Sequence, residues 1–349
     1  MTKNRKHHPQ SCIQRLTLPR KDGGRGLIDI VNLHNAQIAN LRSYFHNKNT
    51  SLHIAIVQND HKFTPLNLLD KTTKQSNEIT ISNQNKIEEW AKKSLHGRHY
   101  RDLNLPYVDK KASNEWLRRG ELFPETEGFI FAIQDQVIET RNYRKHIMKT
   151  QNAIDVCRKC NNPLENIQNI TGSCKTIVQT EYKHRHDQVA NIIHQELALK
   201  YNLIKIPRTP YYKYKPELML ENSTHILYFD RTILTDKTTH FNRPDITLVN
   251  KIEKTALLID IAVPNTHNIQ STVAEKITKY TDLKIEVKRM WNLNTVTIVP
   301  IVISTTGVIP TMIHDSIKTI GLHKNIYIIL QKAVILNTCR IVRKFLQID

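Results

Sequence analysis

The sequence predicts an α/β protein, in which a helical N-terminal region precedes a mixed β-sheet domain flanked by helices. Two observations support this class. Apolar residues recur at helical spacing through much of the first 205 residues. From residue 225 the pattern becomes strand-like in three segments rich in β-branched residues, HILYFDRTI, PDITLVN and TALLIDIAV. The order of strands, helix, strand and helices is typical of a sheet covered by helices.

Changes in composition divide the chain into six regions. A polar segment separates a first helical region from a second, and a cysteine cluster precedes the strand-rich domain. The regions are 1–57, with the Gly-rich turn KDGGRG and a helical pattern; 58–85, a polar linker; 86–150, basic helices; 151–205, the cysteine cluster and a helix from about Gln179 to Tyr201; 206–310, the sheet domain; and 311–349, two final helices. Within the sheet domain we expect one long helix from about Ser271 to Trp291 and a further strand over Thr295–Ser304.

The charge of the chain points to a polyanionic partner. Lys and Arg number 51 against 32 Asp and Glu, a formal charge of +19, and the excess is spread along the chain. This favours nucleic acid over a small acidic substrate, with an anionic membrane surface as second candidate. No segment approaches the roughly 18 consecutive apolar residues of a membrane span, the polar start lacks a signal sequence, and five cysteines do not suggest a disulfide framework. We therefore expect an intracellular protein with no membrane partner.

Asp260 is the residue that packing explains least. It stands in TALLIDIAV, which is apolar at nearly every position, as expected of a central strand covered on both faces. A carboxylate held away from water costs several kcal/mol unless it is paired or binds a metal. Asp245 follows Pro244 at the start of the preceding strand, and the short connection VNKIEK should bring it to the same end of the sheet. Two such acids can share one hard cation; a strand-start turn and an arginine or backbone amide partner are the structural alternatives.

Two lysines on the following helix are expected to flank the acids. Lys276 and Lys279 lie one turn apart, and Glu275 beside them is a further candidate ligand. The helix should face the sheet through its apolar residues, which are Val273, Ile277, Tyr280, Val287 and Trp291. Mg²⁺ held by two carboxylates neutralises a scissile phosphate and activates water, and a nearby amine can orient or deprotonate that water. The pattern therefore predicts phosphodiester hydrolysis.

Three segments follow one another in the order RPD, LLIDIAVP and AEKITKYTDLKIEVKRMW. Together they resemble the restriction-like endonuclease domain that ends the polyprotein of site-specific non-LTR retrotransposons. This domain is a variant of the PD-(D/E)xK nuclease fold. By this resemblance Asp245 and Asp260 are the two acids, and the lysine has moved to the next helix, to Lys276 with Lys279 beside it. Ala262 occupies the position at which the plain PD-(D/E)xK motif has its lysine. The implied function is metal-dependent nicking of chromosomal DNA to prime reverse transcription, which in turn implies a nuclear location.

The resemblance covers nearly the whole chain. The segment RLTLPRKDGGRGLIDI is similar to the one that follows the polymerase thumb in such polyproteins. The stretch from LHGRHYRDLN to NYRKHI is similar to the linker before the nuclease. No YxDD-like polymerase motif occurs, so we expect another copy to supply the reverse transcriptase, with an RNA template as a second ligand beside DNA. A non-catalytic nucleic-acid-binding remnant and a decayed transposon fragment are the alternatives.

Cys157, Cys160 and Cys174 resemble three of the four ligands of the zinc knuckle that precedes this nuclease in the family, C-x2-C-x8-H-x4-C. Asn169 occupies the histidine position, and a neutral amide is a poor zinc ligand. Three interpretations stay open at this point. His184 or His186 from YKHRHD closes a zinc site, the site is damaged, or the cysteines are reduced thiols in a loop.

Basic residues near the Gly-rich turn and in the helical linker are candidates for nucleic-acid binding. Runs of charge are often only solvated faces, yet phosphate contacts dominate sequence-independent affinity for nucleic acid. The candidates are Arg15, Arg20, Arg25, Arg98, Arg101, Arg118 and Arg119.

Overall fold

A computed structural model describes residues 6–70 and 82–348 of the chain. The described residues form two compact units: Cys12–Lys93 is one, and the rest of the described chain is the other. Part of the predicted linker 58–85, residues 71–81, lies outside the described residues. The six predicted regions are not tested by this division and stay predictions.

The unit Cys12–Lys93 is helical. Its helices are α1 Gln14–Thr17, α2 Ile30–His46, α3 Ser51–Asn59 and α4 Asn83–Lys92. Asp29 caps α2 by accepting a hydrogen bond from the backbone N of Asn32 at 3.1 Å, which satisfies one of the free amides at the helix start. The turn before α2 requires glycine, because a Cβ at Gly24 would collide with the carbonyl of Leu18. The predicted Gly-rich turn feeding a helix is confirmed.

The second unit begins with helices and ends with the sheet. Its first helices are α5 Gly97–Leu103, α6 Lys110–Asn114, α7 Trp116–Arg119, α8 Pro124–Gln134, α9 Arg141–His146 and α10 Lys183–Lys200. Two π-helical turns, Asn169–Ser173 and Val178–Tyr182, precede α10. The apolar face of α10 is buried in the core of the unit, so the position of this helix is fixed by packing.

Five strands form one mixed sheet in the order β1-β2-β3-β4-β5. They are β1 Met219–Glu221, β2 His225–Phe229, β3 Ile246–Asn250, β4 Thr255–Ala262 and β5 Thr295–Val302. Neighbouring strands from β1 to β4 are antiparallel, and β5 pairs parallel with β4. The remaining helices are α11 Ile269–Lys279 and α12 Thr281–Met290 between β4 and β5, then α13 Ile313–Thr319 and α14 Ile326–Leu346. The predicted α/β class with a mixed sheet and flanking helices is confirmed; β1 was not predicted.

The predicted helix Ser271–Trp291 is wrong in one respect, because it consists of two helices. Tyr280 lies between α11 and α12 with φ −103° and ψ 9°, outside helical geometry. Its side chain is fully buried, whereas Ile277, which was expected to face the sheet, is 45% exposed. The break lies after Ile277, so it changes the rotation of α12 relative to α11, and one helical period across both segments does not assign the faces of both helices.

The sheet is covered on both faces, as predicted for β4. Side chains of a strand alternate between faces, and in β4 Ile259 and Ile261 join a core with α10, α13 and α14. Ala256 and Leu258 join a second core with α12. Asp260 lies two residues after Leu258 in the same strand, so its side chain lies on the same face of the sheet, the face that α11 and α12 cover.

Candidate active site and candidate metal centre

The two predicted acids lie opposite each other at one end of the sheet. Asp245 directly precedes β3. Ile246 of β3 pairs with Ile259 of β4, so one residue further along this antiparallel pair Asp245 lies opposite Asp260. The backbone N of Ile261 donates a hydrogen bond of 2.6 Å to Oδ2 of Asp245. The placement of both acids at the same end of an antiparallel pair, expected from the short connection between the strands, is confirmed.

Asp260 is buried and has three neighbours from the break between α11 and α12. The hydroxyl of Tyr280 donates to Asp260 Oδ1 at 2.7 Å. Lys276 Nζ lies 2.7 Å from Asp260 Oδ2, and Lys279 Nζ lies 4.0 Å from Oδ1. Oδ2 forms this ion pair and, among the described residues, accepts no further hydrogen bond. Burial, with the charge of Asp260, raises the pKa of Tyr280, which therefore stays a neutral donor.

Asp245 is paired with a histidine that the sequence analysis had assigned elsewhere. Nε2 of His186, in the first turns of α10, lies 3.0 Å from Asp245 Oδ2, and Nδ1 lies 3.1 Å from Asp187 Oδ1. Burial disfavours the charged imidazole, but the two carboxylates outweigh it and raise the pKa of His186 to about 10. Burial alone would raise the pKa of Asp245; hydrogen bonding and attraction to His186 reverse the sign and lower it.

The acid site thus contains two carboxylates, two amines, one phenol and one imidazole. The amines come from the helix that the sequence predicted, and both face Asp260. Glu275, a candidate ligand by sequence, is exposed, and no ion pair joins it to the acids in the described chain. Tyr280 and His186 were missed as members of this site. The only local signal for His186 was the charged segment RHD at the start of a predicted helix.

Three cysteines form a second cluster. Their sulfur atoms lie within 4.8 Å of one another, and those of Cys157 and Cys174 are 3.9 Å apart. Burial raises the pKa of Cys174 to about 12. For Cys160, hydrogen bonds, the largest from Asn162, outweigh burial and lower the pKa. The cluster could bind a metal such as zinc, since thiolates are preferred zinc ligands.

The structure does not bring His184 or His186 to the cysteines, because among the described residues the metal-ligand group contains the thiols alone. His186 is held at the acid site instead, at 3.0 Å from Asp245. The fourth neighbour is Asn169, whose side chain hydrogen-bonds Cys160 and whose buried Oδ1 has no hydrogen-bond partner. Amide oxygen and nitrogen exchange places on a flip of the side chain, so Asn169 can offer the cluster a weak oxygen donor.

The basic candidates divide by exposure. Arg15 and Arg25 are 1% and 4% exposed, and Arg15 Nε donates to the carbonyl of Gly23 at 3.0 Å. A buried guanidinium is poorly placed to reach a phosphate, and nucleic-acid contact by these two arginines stays a prediction. Arg20 and Arg98 are half-buried, whereas the candidates on the surface are Arg101, Arg118 and Arg119.

We compared the sequence with models of known protein families and with curated proteins, and neither comparison gave a match. Among the described helices, none is both long and apolar enough to cross a membrane.

Proposed function

We propose that this chain is a Mg²⁺-dependent DNA endonuclease, in which Asp245 and Asp260 hold the metal and Lys276 acts on the attacking water. The observation that carries the proposal is the convergence of Asp245, Asp260 and Lys276 from two strands and a helix, with the amine 2.7 Å from the second acid. A strand acid placed beside a second acid and an amine is the arrangement that phosphodiester hydrolysis needs.

The donor set fits a hard divalent cation. Asp260 Oδ2 is buried and, beyond its ion pair with Lys276, accepts no hydrogen bond in the described chain. Asp245 uses Oδ2 for its two hydrogen bonds, which leaves Oδ1 available. Mg²⁺ takes one or two carboxylate oxygens and completes its shell with water and phosphate oxygens. When bound, it would neutralise charge on the phosphate and lower the pKa of a water.

The residues around the acids supply positioning and charge. Tyr280 fixes one oxygen of Asp260, so the carboxylate presents the other oxygen to the site. Lys276 neutralises that oxygen while no ligand is present. In a complex with DNA the same amine is within reach of a phosphate oxygen or of the attacking water, where it can stabilise the charge that develops.

The sequence resemblance is the basis on which we infer a PD-(D/E)xK-like fold and a retrotransposon origin. The antiparallel β3–β4 pair with both acids, followed by a helix with the lysine, agrees with a PD-(D/E)xK-like fold of retrotransposon origin. On this proposal the enzyme nicks a chromosomal target in the nucleus to prime reverse transcription. The net charge of +19 and the exposed Arg101, Arg118 and Arg119 support DNA binding.

One observation favours a second candidate, a nucleic-acid-binding protein without catalysis. Lys276 already compensates the charge of Asp260, so the fold can retain this acid without any metal. In that case the basic surface alone would have a function.

A plasmid-nicking assay separates the two. We expect nicking in Mg²⁺ or Mn²⁺ that EDTA stops, and a loss of at least about 100-fold for Asp260→Asn. DNA affinity should stay within about threefold, because the phosphate-binding surface is unchanged. Lys276→Met should lose much more activity than its matched control Lys279→Met, whose amine is 4.0 Å from Asp260. Absence of nicking in both metals, with DNA binding intact, would leave the binding protein as the correct description.

A further inference from the structure

Asp245 owes its orientation to one contact within the β3–β4 pair and to one contact from outside it. Its Oδ2 accepts two hydrogen bonds, from the backbone N of Ile261 at 2.6 Å and from His186 Nε2 at 3.0 Å. The histidine lies 59 residues earlier in the chain, on α10. Since α10 is an 18-residue helix packed in the core, the imidazole reaches the acid from a rigid support.

The imidazole is held from its other side as well. Nδ1 of His186 lies 3.1 Å from Asp187 Oδ1, and Lys183 Nζ lies 3.4 Å from Asp187 Oδ2. The result is a chain of alternating charges, Lys183–Asp187–His186–Asp245, along the first turns of α10. Each ring nitrogen faces a carboxylate oxygen, and an ionised carboxylate oxygen only accepts hydrogen bonds.

We propose that His186 is the positioning residue for Asp245, and that it presents Oδ1 of this acid to the divalent cation. The inference rests on the proposed nuclease function. Two donors on Oδ2 prevent rotation of the carboxylate and leave one oxygen for the metal. Removal of either donor would free the group to rotate, which lowers the fraction of time in which Oδ1 faces the metal position.

His186 does not act as a proton acceptor in this arrangement. Both ring nitrogens are engaged, with Asp245 and with Asp187. A role in accepting the proton of the attacking water would require the loss of one of these contacts, whereas the positioning role uses both of them as they stand.

The test uses the full chain and three variants of α10. His186→Ala removes the donor, His186→Gln restores an N–H near the place of Nε2, and His184→Ala is the matched control, two residues away and exposed. The first readout is Mn²⁺ affinity by isothermal titration calorimetry without DNA, with Asp260→Asn to identify the site. The second is the Mg²⁺ concentration that gives half-maximal nicking.

We expect His186→Ala to weaken Mn²⁺ binding about 10-fold to 100-fold, the range of outer-sphere changes at metal sites. His186→Gln should recover most of this loss, and His184→Ala should match the wild type. The Mg²⁺ requirement for nicking should rise with the loss of affinity, while the rate at saturating Mg²⁺ changes less. A purely structural role would lower thermal stability without this split.

The outcomes are distinct. Wild-type Mn²⁺ affinity in folded His186→Ala overturns the positioning role and leaves the nuclease proposal standing. If His186→Ala does not fold, the folded His186→Gln variant is the test of the positioning role. Mn²⁺ affinity near that of the wild type supports the role. A loss of Mn²⁺ affinity as large as 100-fold overturns it. Absence of Mn²⁺ binding by the wild type overturns the metal site itself and this inference with it. Mn²⁺ binding that depends on His186, without nicking, supports the inference and contradicts the nuclease.

Discussion

The amine of Lys276 lies 2.7 Å from Oδ2 of Asp260, a carboxylate that is only 2% exposed. One charge sits in the middle of an apolar strand, and the other comes from the helix that covers this face of the sheet. Each partner offsets part of the cost of burying the other, so the loss of one partner leaves an uncompensated charge inside the fold. The stability of this unit should therefore depend on the same residues as the proposed activity.

Lys276→Met should destabilise the protein by about 3 kcal/mol, the usual cost of leaving one partner of a buried ion pair without the other. The measurement is the midpoint of urea unfolding. Lys279→Met, whose amine is 4.0 Å from the same acid, is the matched control and should cost less than about 1 kcal/mol.

Combining Lys276→Met with Asp260→Asn should recover part of the loss, since the double variant has no unpaired buried charge. Equal midpoints for the two lysine variants would contradict the pair as a stabilising contact.

Tyr280→Phe should destabilise by about 1.5–3 kcal/mol, because it removes a hydrogen bond of 2.7 Å to a charged group that is buried. Tyr212→Phe is the matched control, at a tyrosine that is 65% exposed, and should leave the unfolding midpoint unchanged. A Tyr280→Phe variant as stable as the wild type would show that water replaces the phenol.

The cysteine cluster should contain one zinc ion per chain when the protein is purified without chelator, as measured by elemental analysis. Cys174→Ser should remove the metal, whereas Cys339→Ala, a buried cysteine outside the cluster, should retain it. Asn169→His should slow transfer of the zinc to a chelator at least about 10-fold, because imidazole is a stronger donor than an amide. A metal-free protein with an unchanged melting temperature would refute this site.

His194 should make the protein less stable in mild acid. Burial lowers the pKa of this histidine from 6.5 to about 4 in the folded state. Between these values the unfolded chain binds more protons than the folded one, so stability falls as the pH falls through this window. At pH 5 the contribution is about 2 kcal/mol less favourable than at pH 8.

The measurement is the urea midpoint at both pH values. His194→Asn retains a polar group near Nδ1, which forms a hydrogen bond of 2.8 Å with the hydroxyl of Tyr214 in the wild type. Its midpoint should change less between the two pH values, and an equal change in both proteins would assign the effect to other groups.

The elements near the acid site were predictable because their signals are local. β3, β4 and β5 follow from runs of β-branched residues, and the short connection after β3 places Asp245 beside Asp260. The position of Lys276 also follows from a local signal, since it lies on an amphipathic helical pattern that begins soon after the strand with Asp260. The break at Tyr280 was not predictable, because apolar spacing is nearly the same in one helix as in two.

The sequence by itself determined the order of strands and helices, the two acids, and the lysines that accompany them, since periodicity and a charge in an apolar strand are properties of short segments. Only the tertiary structure decided that His186 pairs with Asp245 at 3.0 Å, and that Asn169 is the fourth neighbour of the cysteines. For His186 the physical reason is the packing of α10. The rotation of this helix in the core decides which site each of its side chains can reach, and short segments do not fix that rotation.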